Sequence, residues 1–552
     1  MADPSGPFAV GVCDLFWTLN GQRFNSPSEV TADNHLVARL YYPCNHTAKG
    51  NYWRSRWLPS YHYAKGYADF LFYWTRGCYQ WALKTTLKGL TYILGRTTVL
   101  DNYEHAPIAH GRGAFPVVIF SHGLGGMRNT YSALNSEVAS QGYVVVSLEH
   151  ADGTASSAFL AGKAGFKYYT GWGELEDRMN QTRYRMAEVR TAFRLMQSLN
   201  DGQPPTGLQL SGKLDPRTFL KGLLDLEAVA IAGHSYGGAT VAALCAEDPT
   251  FKCAICLDPY WPGLPEDSPA LRKWRTTSPM LVLGSQAWNV PDKDGKLKCD
   301  GVRQEAVLQA VRYRNDTDAS VSATGGGAVL CVLEGSTHDT FTDVLGIFGT
   351  RYSWFVRKAG FKIALDPVLA LNMVARNMLG FMNRHLPLTD TQRKGYKQDP
   401  YPATDDAGQV SEDHGLHPAV AVEAYEIGIE GLDRQSSPVR SDGNKEAGRD
   451  GKTDSSAARR SAAGAVADNS MADLLSKPAA NPQKGGSGVH TREAGYGGAI
   501  CTMTRQNGEV TGQKHVSDDG VQRTWAQRVT QGDELMYQEI GKGHIFKLEI
   551  AV

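Results

Sequence analysis

Two hydrophobic rhythms alternate along the first part of the chain. Val117-Val-Ile-Phe120, Tyr143-Val-Val-Val-Ser-Leu148, Ala228-Val-Ala-Ile-Ala232, Cys253-Ala-Ile-Cys-Leu257, Met280-Leu-Val-Leu283 and Val329-Leu-Cys-Val-Leu333 are short, nearly continuous apolar runs. Strands covered on both faces have this look. Between them lie segments of helical spacing. From Arg183 to Leu199, the residues Met186, Val189, Ala192, Phe193, Met196 and Leu199 fall on one side of a 3.6-residue period. The alternation predicts an α/β architecture, a mostly parallel sheet covered by helices.

The pattern stops near residue 390. From Glu426 to Gly495 there is no Phe, Trp, Tyr or Cys, and Ser, Ala, Gly, Lys, Arg and Asp dominate. Such a stretch buries too little apolar surface to offset its ordering entropy and is expected to be disordered. Beyond it, Phe546, Leu548, Ile550 and Val552 alternate with Lys547, Glu549 and Ala551, which predicts a last strand. The expected organisation is a catalytic domain over 1–390, a low-complexity, largely disordered linker over 391–495, and a small segment over 496–552 whose fold the pattern leaves open.

Composition narrows the function classes. The 57 basic residues balance 57 acidic ones, which argues against whole-chain binding to nucleic acid. No run of 18 apolar residues occurs, so no transmembrane helix is expected. Met1-Ala-Asp-Pro-Ser-Gly-Pro7 has no basic residue and Asp14 breaks the apolar run behind it, so no secretory signal is expected either. The nine cysteines are scattered, and Cys253 and Cys256 sit in a strand-like run, where reduced core thiols are the plainer reading. These features point to the cytoplasm, with peripheral membrane contact. There is no H-E-x-x-H and no Cys/His cluster, so no metal and no cofactor is expected.

The chemistry concentrates at Gly233-His-Ser-Tyr-Gly237, a G-x-S-x-G between an apolar strand and the helix-like Gly238-Ala-Thr-Val-Ala-Ala-Leu-Cys245. That context is the nucleophile elbow of an α/β-hydrolase. The glycines allow a tight turn, which presents Ser235 above the sheet edge with a helix N-terminus beside it. A serine needs a base, and the base an orienting acid, in the chain order Ser, acid, His. Asp258 directly follows the run Cys253–Leu257, and His338 lies just past Val329–Leu333. An oxyanion hole needs two backbone N–H groups. Tyr236, next to the nucleophile, and Leu124, in the glycine-rich Ser121-His-Gly-Leu-Gly-Gly126, are the candidates. His122 and His234 read as structural.

Phe120-Ser-His-Gly-Leu-Gly-Gly-Met-Arg128, Glu149-His-Ala-Asp-Gly-Thr-Ala-Ser156, Gly233-His-Ser-Tyr-Gly-Gly-Ala-Thr240, Leu257-Asp258 and Gly335-Ser-Thr-His338 occur in one order. With Gly6-Pro-Phe-Ala-Val-Gly-Val-Cys-Asp-Leu15 and Arg39-Leu-Tyr-Tyr-Pro43, this set resembles the platelet-activating factor acetylhydrolase family of the plasma and intracellular type II kind, the lipoprotein-associated phospholipase A2 group. The resemblance spans roughly residues 6 to 386. It implies a calcium-independent serine esterase that removes acetyl, short or oxidised acyl chains from the sn-2 position of phospholipids. It also implies that Ser235, Asp258 and His338 form the triad and that Leu124 and Tyr236 supply the oxyanion hole. Tyr236 stands where the family more often has Phe. Asn289 to Gly327 reads as an insertion, and the tail after 390 has no counterpart.

A phospholipid substrate requires access to a lipid surface. Between Tyr61 and Leu94, the apolar Tyr67, Phe70, Leu71, Trp74, Tyr79, Trp81, Leu83, Leu87, Leu90 and Ile93 are interleaved with Lys65, Arg76, Lys84 and Lys88. This mixture suits a membrane–water interface, with Phe70, Leu71 and Trp74 as candidate anchors, although cover for the sheet would look the same. The rival readings are a carboxylesterase or lipase acting on other esters, and a lipid-binding homologue without activity.

Overall fold

The computed structural model describes residues 3–394 except 46–50, 72, 74–79, 111–112, 172, 290–296, 317–326 and 352–364, and beyond them the backbone of five strands between 492 and 549. Thirteen strands precede residue 394 among the described residues: β1 (Ala9–Thr18), β2 (His35–Cys44), β3 (Arg54–Arg56), β4 (Val99–Glu104), β5 (Phe115–Ser121), β6 (Val144–Leu148), β7 (Ser157–Phe159), β8 (Phe166–Tyr168), β9 (Leu208–Leu210), β10 (Leu224–His234), β11 (Cys253–Leu257), β12 (Met280–Ser285) and β13 (Ala328–Leu333).

Eleven of them build one sheet. Its central run, β13-β12-β11-β10-β5-β6, is parallel throughout, and β2, β1, β4 and β3 extend it beyond β6, with β9 pairing β1. Every apolar run singled out in the sequence lies in this parallel block. The short hairpin β7–β8 stands apart.

Helices cover both faces, because a parallel sheet must bury both. Val117 and Ile119 of β5 join one apolar cluster with Met186, Val189, Ala192 and Met196 of α4 (Leu175–Asn200) and Val241 and Leu244 of α5 (Tyr236–Cys245). Val118 and Phe120 turn the other way, onto Leu134 and Val138 of the helix Ser132–Ser140 and Val374 and Met378 of the helix Pro367–His385. The alternation within one strand divides the core into two layers. Full burial of a Val, Leu, Ile, Phe or Met side chain of this kind contributes about 1.5–3 kcal/mol.

The fold is an α/β-hydrolase, as the parallel block and the elbow predict. Details differ. Helix α4 begins at Leu175, eight residues before the periodic stretch, because the Glu174 amide donates to the Asp177 carboxylate (3.0 Å) and starts the helix over a polar turn. The segment read as an insertion holds a 16-residue helix, Gly301–Asp316. Gln392, assigned to the linker, donates to the Ala114 carbonyl and the Asp225 carboxylate, so the packed chain continues past 390. Most of the linker, residues 395–491, lies outside the described residues. After it, four strands between Arg492 and Gln527 form a separate antiparallel sheet. The strand Ile545–Glu549 pairs antiparallel with β13, which answers where the last alternating run goes. Among the described residues, no helix is long and apolar enough to cross a membrane.

Candidate active site

The parallel block reverses its winding at β5, since β6 lies on one side of it and β10 on the other. Loops leave the carboxyl ends of β5 and β10 there, the usual position of the ligand site in an open α/β sheet. Ser235 and Leu124 sit on those two loops.

Ser235 adopts φ 54°, ψ −116°, a conformation that costs on the order of 1–3 kcal/mol for a residue with a Cβ. The neighbours enforce it. The Ser235 amide donates to the Leu257 carbonyl at 2.8 Å, and its own carbonyl accepts from the Tyr260 amide at 2.8 Å. A Cβ at Gly237 would stand 2.0 Å from the Ser121 carbonyl oxygen, and one at Gly233 would stand 2.4 Å from that of Gly237. Only glycine fits either position.

The next strand delivers Asp258, also at positive φ (41°), with its amide bonded to the Leu283 carbonyl at 2.7 Å. Four donors converge on its carboxylate. Oδ1 accepts from the Ser285 amide (2.7 Å) and Asn289 Nδ2 (3.0 Å), and Oδ2 accepts from Ser285 Oγ (2.6 Å) and His338 Nδ1 (2.7 Å). The other ring nitrogen of His338, Nε2, lies 2.8 Å from Ser235 Oγ. Serine, imidazole and carboxylate are therefore one hydrogen-bonded chain, assembled from the ends of β10, β11 and β13. Trp288 lies flat against the imidazole, with centroids 3.6 Å apart.

Two candidate oxyanion amides lie on adjoining segments. Tyr236 is the first residue of α5, and Leu124 occupies a loop folded by the Gly126 amide on the Gly123 carbonyl (3.1 Å) and the Gly125 amide on the Thr154 carbonyl (2.8 Å). Among the described residues neither the Leu124 nor the Tyr236 amide has a protein acceptor. The Tyr236 phenol is tied down elsewhere, donating to the Arg178 carbonyl with Arg185 over its ring. A Cβ on Gly123 would meet the Ser235 Cβ at 3.0 Å, so loop and elbow are in direct contact.

His122 and His150 support this loop from beneath. His122 Nδ1 donates to the Gly123 carbonyl (2.7 Å), its Nε2 accepts from the His150 amide (3.1 Å), and burial pushes its pKa down to about 3. His150 lies between Ser121 Oγ (2.7 Å) and Glu188 (2.5 Å). That second Ser–His–acid chain is sealed, with Ser121 and His150 both at 0% exposure, so no substrate reaches it.

Of the proposed lipid anchors, Phe70 and Leu71 end helix α1 (Tyr61–Leu71) and are half-buried, Phe70 against Gly125 and edge-on to Tyr169 (4.9 Å). Trp74 lies outside the described residues. The sequence reading missed Ser285, Trp288 and Asn289. Their signal was positional, since Ser285 ends the next parallel strand, β12, and Trp288 and Asn289 lie in the short helix Gln286–Asn289 that follows it.

A profile of the family described as platelet-activating factor acetylhydrolase, isoform II, matches residues 2–403. The chain belongs to that family. Platelet-activating factor acetylhydrolases of Cavia porcellus and Canis lupus familiaris are 27% and 28% identical to it, over 70% and 71% of this chain and 77% and 78% of theirs. A putative phospholipase A2 of Schizosaccharomyces pombe is 26% identical over 56% of this chain and 76% of its own. A solved ferulic acid esterase from Streptomyces cinnamoneus aligns at TM-score 0.45 and 21% identity, over 70% of this chain and 95% of that one. By the profile match over residues 2–403, the chain is a member of a lipid ester hydrolase family, the platelet-activating factor acetylhydrolases.

Proposed function

We propose that this acetylhydrolase homologue cleaves the sn-2 ester of platelet-activating factor-like phospholipids carrying acetyl, short or oxidised acyl chains, through an acyl-enzyme and without calcium. The observation that carries the reading is the unbroken chain Ser235 Oγ, His338, Asp258.

In this mechanism His338 Nε2 takes the Ser235 proton as Oγ bonds to the sn-2 carbonyl carbon. The Leu124 and Tyr236 amides receive the oxyanion, each contributing on the order of 3 kcal/mol to the transition state. Asp258 holds the Nδ1–H tautomer and balances the imidazolium. The proton then passes to the lysophospholipid oxygen as the carbonyl C–O bond breaks. Water repeats the sequence, giving its proton to His338 and leaving as the free acid once Ser235 Oγ is reprotonated. His338 carries each proton transfer in turn, so none calls for a metal ion. The helices preceding the oxyanion loop are proposed to make peripheral contact with the lipid surface from which the substrate is drawn.

The test is covalent labelling of the full chain with a fluorophosphonate, together with hydrolysis of a short-chain phosphatidylcholine in competition with a soluble aryl ester. Labelling confined to Ser235, loss of both activities in Ser235→Ala, and preference for the phospholipid are expected. Wild-type hydrolysis by a folded Ser235→Ala would overturn the assignment, and preference for the aryl ester would overturn the substrate.

A further inference from the structure

The histidine inside the elbow motif is bonded in a way that the reaction above does not use. His234 is buried, its ring tilted against His338 with centroids 4.6 Å apart. Its Nε2 lies 3.0 Å from the backbone carbonyl oxygen of His338. Its Nδ1 lies 2.8 Å from the Tyr131 hydroxyl, and that hydroxyl lies 3.0 Å from the Gly123 amide.

The direction of every bond is forced. A carbonyl only accepts, so His234 Nε2 carries the proton. The neutral ring then has a bare Nδ1, which accepts from the Tyr131 O–H. The phenol oxygen, its proton committed, accepts from Gly123 N–H. Burial, with the neighbouring His338, holds the His234 pKa well below the usual histidine value and so keeps the ring neutral. The result is a one-way relay that runs Gly123 N–H, Tyr131 O–H, His234 Nε2–H, His338 C=O.

Its ends are the point. Gly123 adjoins Leu124 in the loop that offers the oxyanion amide. The His338 carbonyl belongs to the residue whose ring abstracts the proton. Three segments distant in sequence, the loop after β5, the elbow and the loop after β13, are pinned to one another by hydrogen bonds closed off from water. Tyr131 precedes the helix Ser132–Ser140, so a rigid element backs the relay.

We propose that His234 and Tyr131 are positioning residues that fix the oxyanion loop relative to the catalytic base. The inference rests on the reading of Ser235, His338 and Asp258 given above. Breaking the relay leaves all three groups present but lets the donor and the base drift relative to each other. A displacement of about 1 Å in such a site costs roughly 100-fold in rate.

The experiment measures kcat and KM for p-nitrophenyl acetate and the rate of fluorophosphonate labelling, using Tyr131→Phe, His234→Leu, the double variant, and His234→Gln. Tyr131→Phe deletes one oxygen atom, and circular dichroism and a thermal melt check folding. Expected are a fall in kcat of about 10- to 100-fold in both single variants, with KM within two-fold, and a parallel fall in labelling rate. The double variant falls no further than the worse single one, because both changes break one relay. His234→Gln, which keeps a donor and an acceptor, recovers most of the rate. A structural role alone would lower the melting temperature without this split between kcat and KM or this non-additivity. Folded Tyr131→Phe and His234→Leu with wild-type kcat, or additive losses in the double variant, would overturn the proposal. If those two retain full rate while Ser235→Ala is inactive and unlabelled, only the relay falls. If Ser235→Ala stays active, the parent reading falls with it.

Discussion

The indole of Trp288 and the imidazole of His338 lie face to face, with centroids 3.6 Å apart and planes 8° from parallel. When His338 takes the serine proton it becomes a cation under an electron-rich face, in a site where Trp288 is 5% and His338 6% exposed. A desolvated cation–π contact contributes about 0.5–2 kcal/mol, which converts to roughly 2- to 30-fold in rate. Trp288→Leu is expected to lose that factor in kcat for a soluble ester, with Trp288→Phe in between. Equal kcat in all three enzymes would show that the stack only fills space.

Asp258 has a sharper role. Its carboxylate accepts the His338 Nδ1–H while Ser285 and Asn289 occupy its other lone pairs. In Asp258→Asn the amide turns a donor toward a ring nitrogen or a neighbour that also donates, and the imidazole is driven to the wrong tautomer. The expected loss in kcat is about 10⁴-fold with the fold intact, the size that this exchange produces in serine protease triads. Single-turnover acylation measured beside circular dichroism checks it. A loss under 10-fold would mean that Asp258 is not the orienting acid.

Much of this site was legible because the elbow is steric. Gly233 and Gly237 cannot carry a side chain, and a strand, G-x-S-x-G and helix in succession leave few alternatives. The apolar runs of β5, β6 and β10 to β13 were visible because burial on both faces removes polar residues. The antiparallel strands β1 and β2 were not found that way. Asp14 and Arg39 interrupt their apolar runs, yet they sit directly opposite each other in the register and bond at 2.7 Å. A polar residue satisfied across a ladder looks the same in sequence as one facing water. Ser285, Trp288, Tyr131 and the role of His234 were hidden for a related reason. Each acts through a partner 27 to 104 positions away, and no local spacing encodes that.

The proposed lipid contact has a different candidate face from the one that the aromatic stretch suggested. Phe70 packs against Gly125 of the oxyanion loop, whereas Leu90 and Ile93 on the helix Gln80–Thr97 are 44% and 59% exposed and share one face. Changing Leu90 and Ile93 to Ser is expected to weaken flotation with phosphatidylcholine vesicles severalfold while leaving hydrolysis of a soluble ester unchanged. Unchanged flotation would remove this face from the proposed docking surface.

Asp343 makes stability depend on pH in an unusual direction. Its carboxyl is fully buried and accepts from the Ser132 (2.6 Å) and Ala133 (3.0 Å) amides at a helix start. Burial raises its pKa, the two amides lower it, and burial wins, pushing it up to about 8. A folded-state pKa above the unfolded one adds stability that is complete below about pH 4 and lost as pH rises through 8. Asp343→Asn, which imitates the protonated acid, is expected to match the wild-type melting temperature near pH 3.5 and exceed it at pH 9. A deficit of constant size at both pH values would mean that the carboxylate is ionised throughout and simply caps the helix.

Arg128 follows the oxyanion loop and anchors it to the sheet. Its guanidinium, 4% exposed, donates to both Asp14 oxygens (3.2 and 3.3 Å), to Glu149 and to the Tyr63 hydroxyl. Burial alone would raise the Asp14 pKa, but Arg128 and then Arg39 outweigh it and hold the carboxyl well below its usual range. A depressed pKa contributes stability that is present above about pH 4 and is lost as the pH falls further. Arg128→Met keeps the bulk but leaves Glu149 buried without its cation, at an expected cost of about 3–5 kcal/mol near neutral pH. Because Asp14 keeps Arg39, the penalty should shrink toward pH 3, where protonation quiets the orphaned acid. Urea denaturation of both proteins at pH 7 and pH 4 tests this. A penalty under 1 kcal/mol at pH 7 would mean that the cluster adds nothing beyond packing. One that grows on acidification would give the dependence the wrong sign.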